Sequence, residues 1–160
     1  MDKIEKLKKE REELDKRIET LEYAERIFEE GEKVYYVDQF GNVNCGKWNN
    51  FVWIDGAFSQ GHIFRTKQAA GLESKRRNLL TRFRAFRDEC NGDWKINWND
   101  GEQEKYIIKC DKKRDFYVVV YFTINEFNLF GYFKDDKDAK RAIALFGDEI
   151  KKLFVDCECD

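Results

Sequence analysis

The sequence predicts an α+β protein: an N-terminal coiled-coil helix over residues 1–31, followed by an antiparallel β-meander/helix domain over residues 32–160. Three observations carry this expectation. Apolar residues recur at alternating intervals of three and four from Ile4 to Phe28. Short β-branched and aromatic runs, separated by Gly, Asn and Asp, then fill two stretches of the chain. Each stretch leads into a longer segment with helical spacing and a capping residue at its start. A chain of 160 residues accommodates one domain with a real core and one appended element.

The first element is the clearest. Ile4, Leu7, Arg11, Leu14, Ile18, Leu21, Glu25 and Phe28 occupy the a and d positions of four heptads, and six of the eight are apolar. Good helix formers fill the other positions, and Gly31 is placed to stop the helix. A lone helix of this length is marginal in water, so its stripe needs something to pack on. That something is either the rest of the chain or a second copy. Self-association through Ile4, Leu7, Arg11, Leu14, Ile18, Leu21 and Phe28 makes the protein a homo-oligomer, most simply a homodimer. Flanking charges favour an antiparallel pair. In parallel helices two of three flanking contacts repel, Lys3 against Lys8 and Glu10 against Asp15, and only Arg17 against Glu22 attracts. An antiparallel register with Ile4 opposite Leu21 sets Glu10 against Arg17 and Lys8 against Asp15, both attractive.

In the body, residues 33–38 read as a strand, with a turn at Phe40, Gly41 and Asn42. Residues 48–54 and 61–64 read as a second and a third strand. Thr66 caps a helix that runs to about Cys90, where Asn91 and Gly92 stop it. Trp94, Ile96 and Trp98 alternate with period two and predict a strand with both indoles on one face. Strands over 106–110, 116–123 and 129–133 follow. Asp135 or Asp136 caps a last helix with Ala139, Ala142, Ile143, Phe146, Ile150 and Leu153 along one face. Both body helices are entered alike, through Phe64-x-Thr66-x-x-x-Ala70 and Phe133-x-Asp135-x-x-x-Ala139. The likeness suggests repeated units over residues 32–92 and 93–156.

Net charge is −2, but it hides a cationic strip. Residues 65–87 carry Arg65, Lys67, Lys75, Arg76, Arg77, Arg82, Arg84 and Arg87 against one acid, Glu73. Lys75, Arg76, Arg77, Arg82, Arg84 and Arg87 form a candidate site for an anionic partner, rich in the planar guanidinium suited to phosphate or carboxylate. Trp94 and Trp98 are candidates for stacking on bases. The bland alternatives are a solvated helix surface and sheet-face rings that belong to the core.

Five cysteines, an absent signal sequence and the lack of any long apolar run predict a protein of a reducing cytoplasm, away from membranes. The spacing of Cys157 and Cys159 fits neither a zinc knuckle nor a CxxC redox motif, and His62 stands alone, so no metal site and no cofactor are expected. Asp135, Asp136 and Asp138 read as helix-capping and solvated acids. The chain has no Gly-rich phosphate loop, no HExxH and no GxSxG, so no catalytic residue is assigned and a non-enzymatic protein is expected.

Val34 to Val37, Gly61 to Ala69, Trp94, Lys105 to Ile107, Gly131 to Ala139 and Phe146 to Asp148, in this order, resemble a family of small accessory proteins of phages and prophages of Gram-positive bacteria. The likeness covers about residues 33–154, and its motifs are structural; His62 stands where the family more often has Asn or another small polar residue. The resemblance implies a non-virion protein made in the host bacterial cytoplasm. Its partner would be a bacterial protein or a protein–RNA complex, most simply an antiviral-defence component such as a CRISPR nuclease. A sponge for a nucleotide immune signal and a nucleic-acid-binding or structural accessory protein are the rival expectations.

Overall fold

The structure, a computed structural model, describes residues 3–49 and 52–157, with the backbone alone for residues 52–55. Its contacts divide the chain into two compact units, Met1–Ser74 and Lys75–Asp160. This division falls well beyond residue 31, because the last turn of the N-terminal helix is part of the first unit's core.

In the first unit, α1 (Lys3–Ile27) is followed by β1 (Lys33–Val37), β2 (Val43–Lys47), α2 (Val52–Ser59) and β3 (Ile63–Phe64). The sheet order is β2-β1-β3, all antiparallel. Ala24 and Phe28 at the end of α1 are buried with Val34, Trp48 and Ile63. Phe28 stacks on Trp48 at 5.0 Å, and the Phe58 ring meets both edge-on. Gly31, with φ +83°, turns the chain out of α1, and its N–H bonds the Trp48 carbonyl at 2.8 Å.

The second strand is a correction. It occupies Val43–Lys47, not 48–54; Trp48 follows it, residues 50 and 51 lie outside the described residues, and 52–59 are helical. The cause is the turn. Asp38 accepts hydrogen bonds from the backbone N–H groups of Phe40 and Asn42 and from the side-chain amides of Asn42 and Asn44. That knot starts the return strand immediately, with Val37 opposite Val43. The same bonds hold the Asp38 carboxyl below its ordinary range, the Asn42 N–H contributing most.

Helix α3 (Lys67–Asn91) crosses the unit boundary, its residues to Ser74 belonging to the first unit and the rest to the second. Thr66 caps it as expected, its hydroxyl accepting from the Ala69 N–H at 3.1 Å. In the second unit, β4 (Lys105–Cys110) and β5 (Phe116–Tyr121) form an antiparallel hairpin, and α4 (Asp136–Ile150) ends in a π-helical turn, Lys151–Val155. Asp135 is the N-cap of α4, its carboxylate accepting from the Lys137 N–H at 2.7 Å. The core holds Leu79, Phe83, Ile107, Phe133, Ala139, Ala142, Ile150 and Leu153.

Two further expected strands are corrected. Residues 94–103 form a loop whose polar backbone is satisfied by side chains: Gln103 accepts from the Asn97 N–H and donates to the Lys95 carbonyl, and Asn97 accepts from the Asn99 N–H. With those groups already bonded there, no ladder forms. Residues 129–133 contribute only a single bridge, between Phe133 and Tyr106. The two units nevertheless share an order: a hairpin, a return to the hairpin's first strand at Ile63–Phe64 or Phe133, a capping residue, and a helix with a fully buried alanine, Ala70 or Ala139.

Candidate functional site

The cationic strip is only partly free. Arg76 donates to the Leu153 carbonyl at 2.8 Å and to Cys157 Sγ at 2.9 Å, and lies over the Phe154 ring. Arg82 holds both carboxylate oxygens of Glu149 at 2.7 Å and bonds Asn78. Arg87 pairs with Asp88 and reaches the Phe130 carbonyl at 3.1 Å, and a methyl group on Gly131 would fall 2.3 Å from its guanidinium. These three arginines tie α3 to the C-terminal turn, to α4 and to the loop before Phe133. Arg77 is half-buried and has an interaction of its own. Lys75 and Arg84 are exposed. Of the six candidate residues, a polyanion therefore meets two exposed cations, Lys75 and Arg84, a weak foothold by counterion release.

The indoles are also engaged. Trp98 meets Tyr132 edge-on at 5.3 Å, and its ring lies 5.2 Å from the Lys105 ammonium. Trp94 is half-buried at the start of the same loop. Lys105 itself is fully buried and donates to the Gln103 and Phe122 carbonyls at 2.8 and 2.7 Å. Two carbonyls and a ring face give the ammonium a complete set of partners without any carboxylate.

The acidic run at the start of α4 is accounted for by its own neighbours. Asp135 caps the helix, Asp136 pairs with Lys140 at 2.6 Å, and Asp138 pairs with Arg141 at 2.8 Å. A depression of about 190 Å³ beside this run is lined by Phe86, Glu89, Cys90, Asp138 and Arg141. Its two carboxylates outnumber a guanidinium already bound to Asp138, a lining that repels anions. Burial pushes the Cys90 thiol up, and the Asp138 charge adds to the effect, so the sulfur stays protonated and unreactive. Cys45, Cys90, Cys110 and Cys157 form no disulfide; Cys159, the other half of the expected cysteine pair, lies outside the described residues. His62 is tied down as well, its Nδ1 donating to the Val37 carbonyl at 3.1 Å.

The feature that sequence reasoning missed is the loop after β5. Phe127 has φ +51° and is 92% exposed. A left-handed backbone costs a residue with a Cβ roughly 1–2 kcal/mol, so something must hold it there. Asn125 does so in part, accepting from the Phe127 N–H at 3.0 Å and from the Tyr132 hydroxyl at 3.1 Å. The Glu126 N–H donates to Tyr132, Asn128 accepts from the Phe130 N–H, and the Asn128 amide reaches the Ile108 carbonyl. Glu126, the loop's one charged side chain, is paired with Lys109 at 2.8 Å and accepts from the Tyr121 hydroxyl. The result is a firmly mounted loop whose single charge is paired with Lys109, presenting Phe122, Ile124, Phe127 and Leu129 to solvent. Asn125 and Asn128 bracketing Phe127 were the available signal, since Asn side chains build turns and tolerate the left-handed region.

The Lys109 ammonium, then the Tyr121 hydroxyl, hold the Glu126 carboxyl below its usual value of 4.5, and the same carboxylate, with Tyr121, raises Lys109 above its ordinary range. A depressed carboxyl contributes stability that is present above its unfolded pKa and lost as pH falls through the folded one. The raised lysine's contribution is lost only above its own, strongly alkaline, pKa. The loop's anchor is therefore expected to hold from neutral pH down to about pH 4.5 and to fail below it. Thermal melts of Glu126→Gln against the parent should differ at pH 7, and the gap should shrink progressively as pH falls below about 4.5; a gap that stays constant through acid pH would exclude the ion pair as the anchor.

Comparison of the chain with family models, with curated proteins and with solved structures finds no match in any of the three. Among the described residues no helix is long and apolar enough to cross a membrane, and no group of His, Cys, Asp or Glu is placed to hold a metal ion.

Proposed function

We propose that the protein is a non-catalytic binding protein that inhibits a bacterial protein target by covering part of its surface. The observation that carries this reading is the mounted loop 122–129. A large apolar side chain held in solvent by a strained, hydrogen-bonded backbone is preorganised for insertion, and preorganisation removes much of the cost of ordering a contact. Aromatic anchors surrounded by smaller apolar neighbours are the usual energetic centre of protein interfaces. Because the loop's single charge is taken up by Lys109 and its exposed side chains are apolar, its partner is a folded protein with an uncharged apolar pocket. The sequence's resemblance to phage accessory proteins is the ground for looking for that target among the components of antiviral defence. The engagement of Arg76, Arg82 and Arg87 inside the protein weighs against a nucleic-acid or nucleotide ligand on α3.

The test is genetic and then chemical. The chain is expressed in Gram-positive hosts carrying defined CRISPR or nucleotide-signalling defences, and the hosts are challenged with sensitive phage. Rescue of plating by the parent chain is expected in one of these backgrounds. The double substitution Ile124→Ala and Phe127→Ala should abolish rescue, and Lys75→Glu with Arg84→Glu should leave it intact. Both pairs are exposed, so the fold is preserved. Rescue that survives the loop substitution and is lost with the charge reversal would move the contact to α3. No rescue in any background would overturn the defence reading.

A further inference from the structure

The first unit offers an interaction surface independent of that loop. Ile4, Leu7, Leu14 and Ile18 are 53–61% exposed along α1, while Ala24 and Phe28 are buried in the core. Leu21, between them, is half-buried. The heptad stripe thus divides in two. Its C-terminal end is consumed by the fold, and its first five turns carry an apolar seam that nothing among the described residues covers.

We infer that residues 4–21 of α1 pair with the same residues of a second copy of this chain, antiparallel, with Ile4 opposite the second copy's Leu21. Three observations select this occupant and this direction. A parallel seam running to Phe28 would have to draw that ring away from Trp48 and Phe58, where it is stacked. The antiparallel register needs only the stretch that the core leaves open, and pairing that stretch with itself about a two-fold axis gives a closed, isologous contact whose occupant is a second copy. Charge complementarity follows the same register: Glu10 meets the second copy's Arg17 and Lys8 meets its Asp15, each twice by symmetry, whereas the parallel register sets Glu10 against Asp15.

The two central layers place Arg11 against Leu14. Arg11 already leans along the helix to Asp15, its Nε 3.7 Å from the carboxylate. In that posture its aliphatic stem can cover Leu14 while the guanidinium stays wet. A cation in both central layers opposes three- and four-helix cores, in which that position would be enclosed, so the assembly stops at two chains.

Sedimentation and light scattering on the full chain at tens of micromolar provide the test. The expected mass is that of two 19.3 kDa chains. Leu14→Glu, at an exposed position, should give a monomer with unchanged circular dichroism. Direction is read from charge. Glu10→Lys sets a second cation against Arg17 and should weaken the dimer about tenfold, and adding Arg17→Glu should restore it. In a parallel pair Glu10→Lys would instead tighten association, because Asp15 would face it. A monomeric parent chain, a tighter Glu10→Lys dimer, or a trimer or tetramer would each overturn the inference. Because phage rescue depends on loop 122–129 and association on α1, failure of one leaves the other readable.

Discussion

Phe83→Ala is expected to destabilise the second unit by about 3–5 kcal/mol, the range for removing a fully buried aromatic side chain. Phe83 has no exposed surface and its ring meets those of Phe130, Phe133 and Phe146 at 4.8, 5.8 and 5.4 Å. These rings come from three separate segments: α3, the loop around the Phe133 bridge, and α4. Truncation therefore removes the fully buried ring at which all three meet; Phe86, which also reaches Phe133 and Phe146, is only half-buried, and the surrounding aromatics are too rigid to collapse into the space. For a unit of this size each kcal/mol shifts the midpoint by about 4–8 °C, so melting should fall by more than about 12 °C. Leu145→Ala, on the exposed face of α4, is the control and should change stability by less than about 0.5 kcal/mol. Near-ultraviolet circular dichroism and guanidinium titration would report both. A Phe83→Ala protein that melts with the parent would show that the aromatic cluster is not the centre of this unit.

The features legible in the sequence were those set by neighbours within a helical turn. Thr66 and Asp135 declared their caps because an N-cap depends on residues two or three positions away. The heptad of α1 was visible for the same reason. What escaped was decided at long range or by backbone hydrogen bonding. The segment over 52–59 is short and apolar, and at that length a buried helix and a buried strand have the same signature. Trp94, Ile96 and Trp98 alternate as a strand would, yet Asn97 and Gln103 take up the backbone groups that a ladder needs. The cationic strip was counted correctly, but its partners Glu149, Leu153 and Phe130 lie 67, 77 and 43 residues along the chain. Spacing on α3 carries no information about them. The same limit applied to the Phe127 loop, whose rigidity depends on Tyr132 and Lys109 as much as on its own asparagines.

Lys105 gives the second large effect and separates two contributions that usually act together. A lysine opening a strand reads as solvent-facing, yet its side chain lies beneath Trp98 and joins the carbonyls of Gln103 and Phe122, the residues flanking the two paired strands. Lys105→Ala removes the ammonium and the stem. It leaves two carbonyls without this donor, at about 1–3 kcal/mol each where they stay dry, and opens a void under the indole. A total loss of about 3–5 kcal/mol is expected. Lys105→Met keeps most of the stem and removes only the charged donor, and should cost about 1–2 kcal/mol. The Met variant decides which effect wins. Burying an ammonium is expensive, and replacing buried charges with well-packed apolar groups is often neutral or stabilising. Here the charge has no acid beside it, but the ammonium donates to two carbonyls and lies 5.2 Å from the Trp98 ring, so the bonds should outweigh the desolvation. Guanidinium titration followed by circular dichroism and tryptophan fluorescence distinguishes the outcomes. A Met variant as stable as the parent would mean that desolvation balances the bonds, and Lys105 would then serve to fix the position of the 94–103 loop rather than to stabilise the unit.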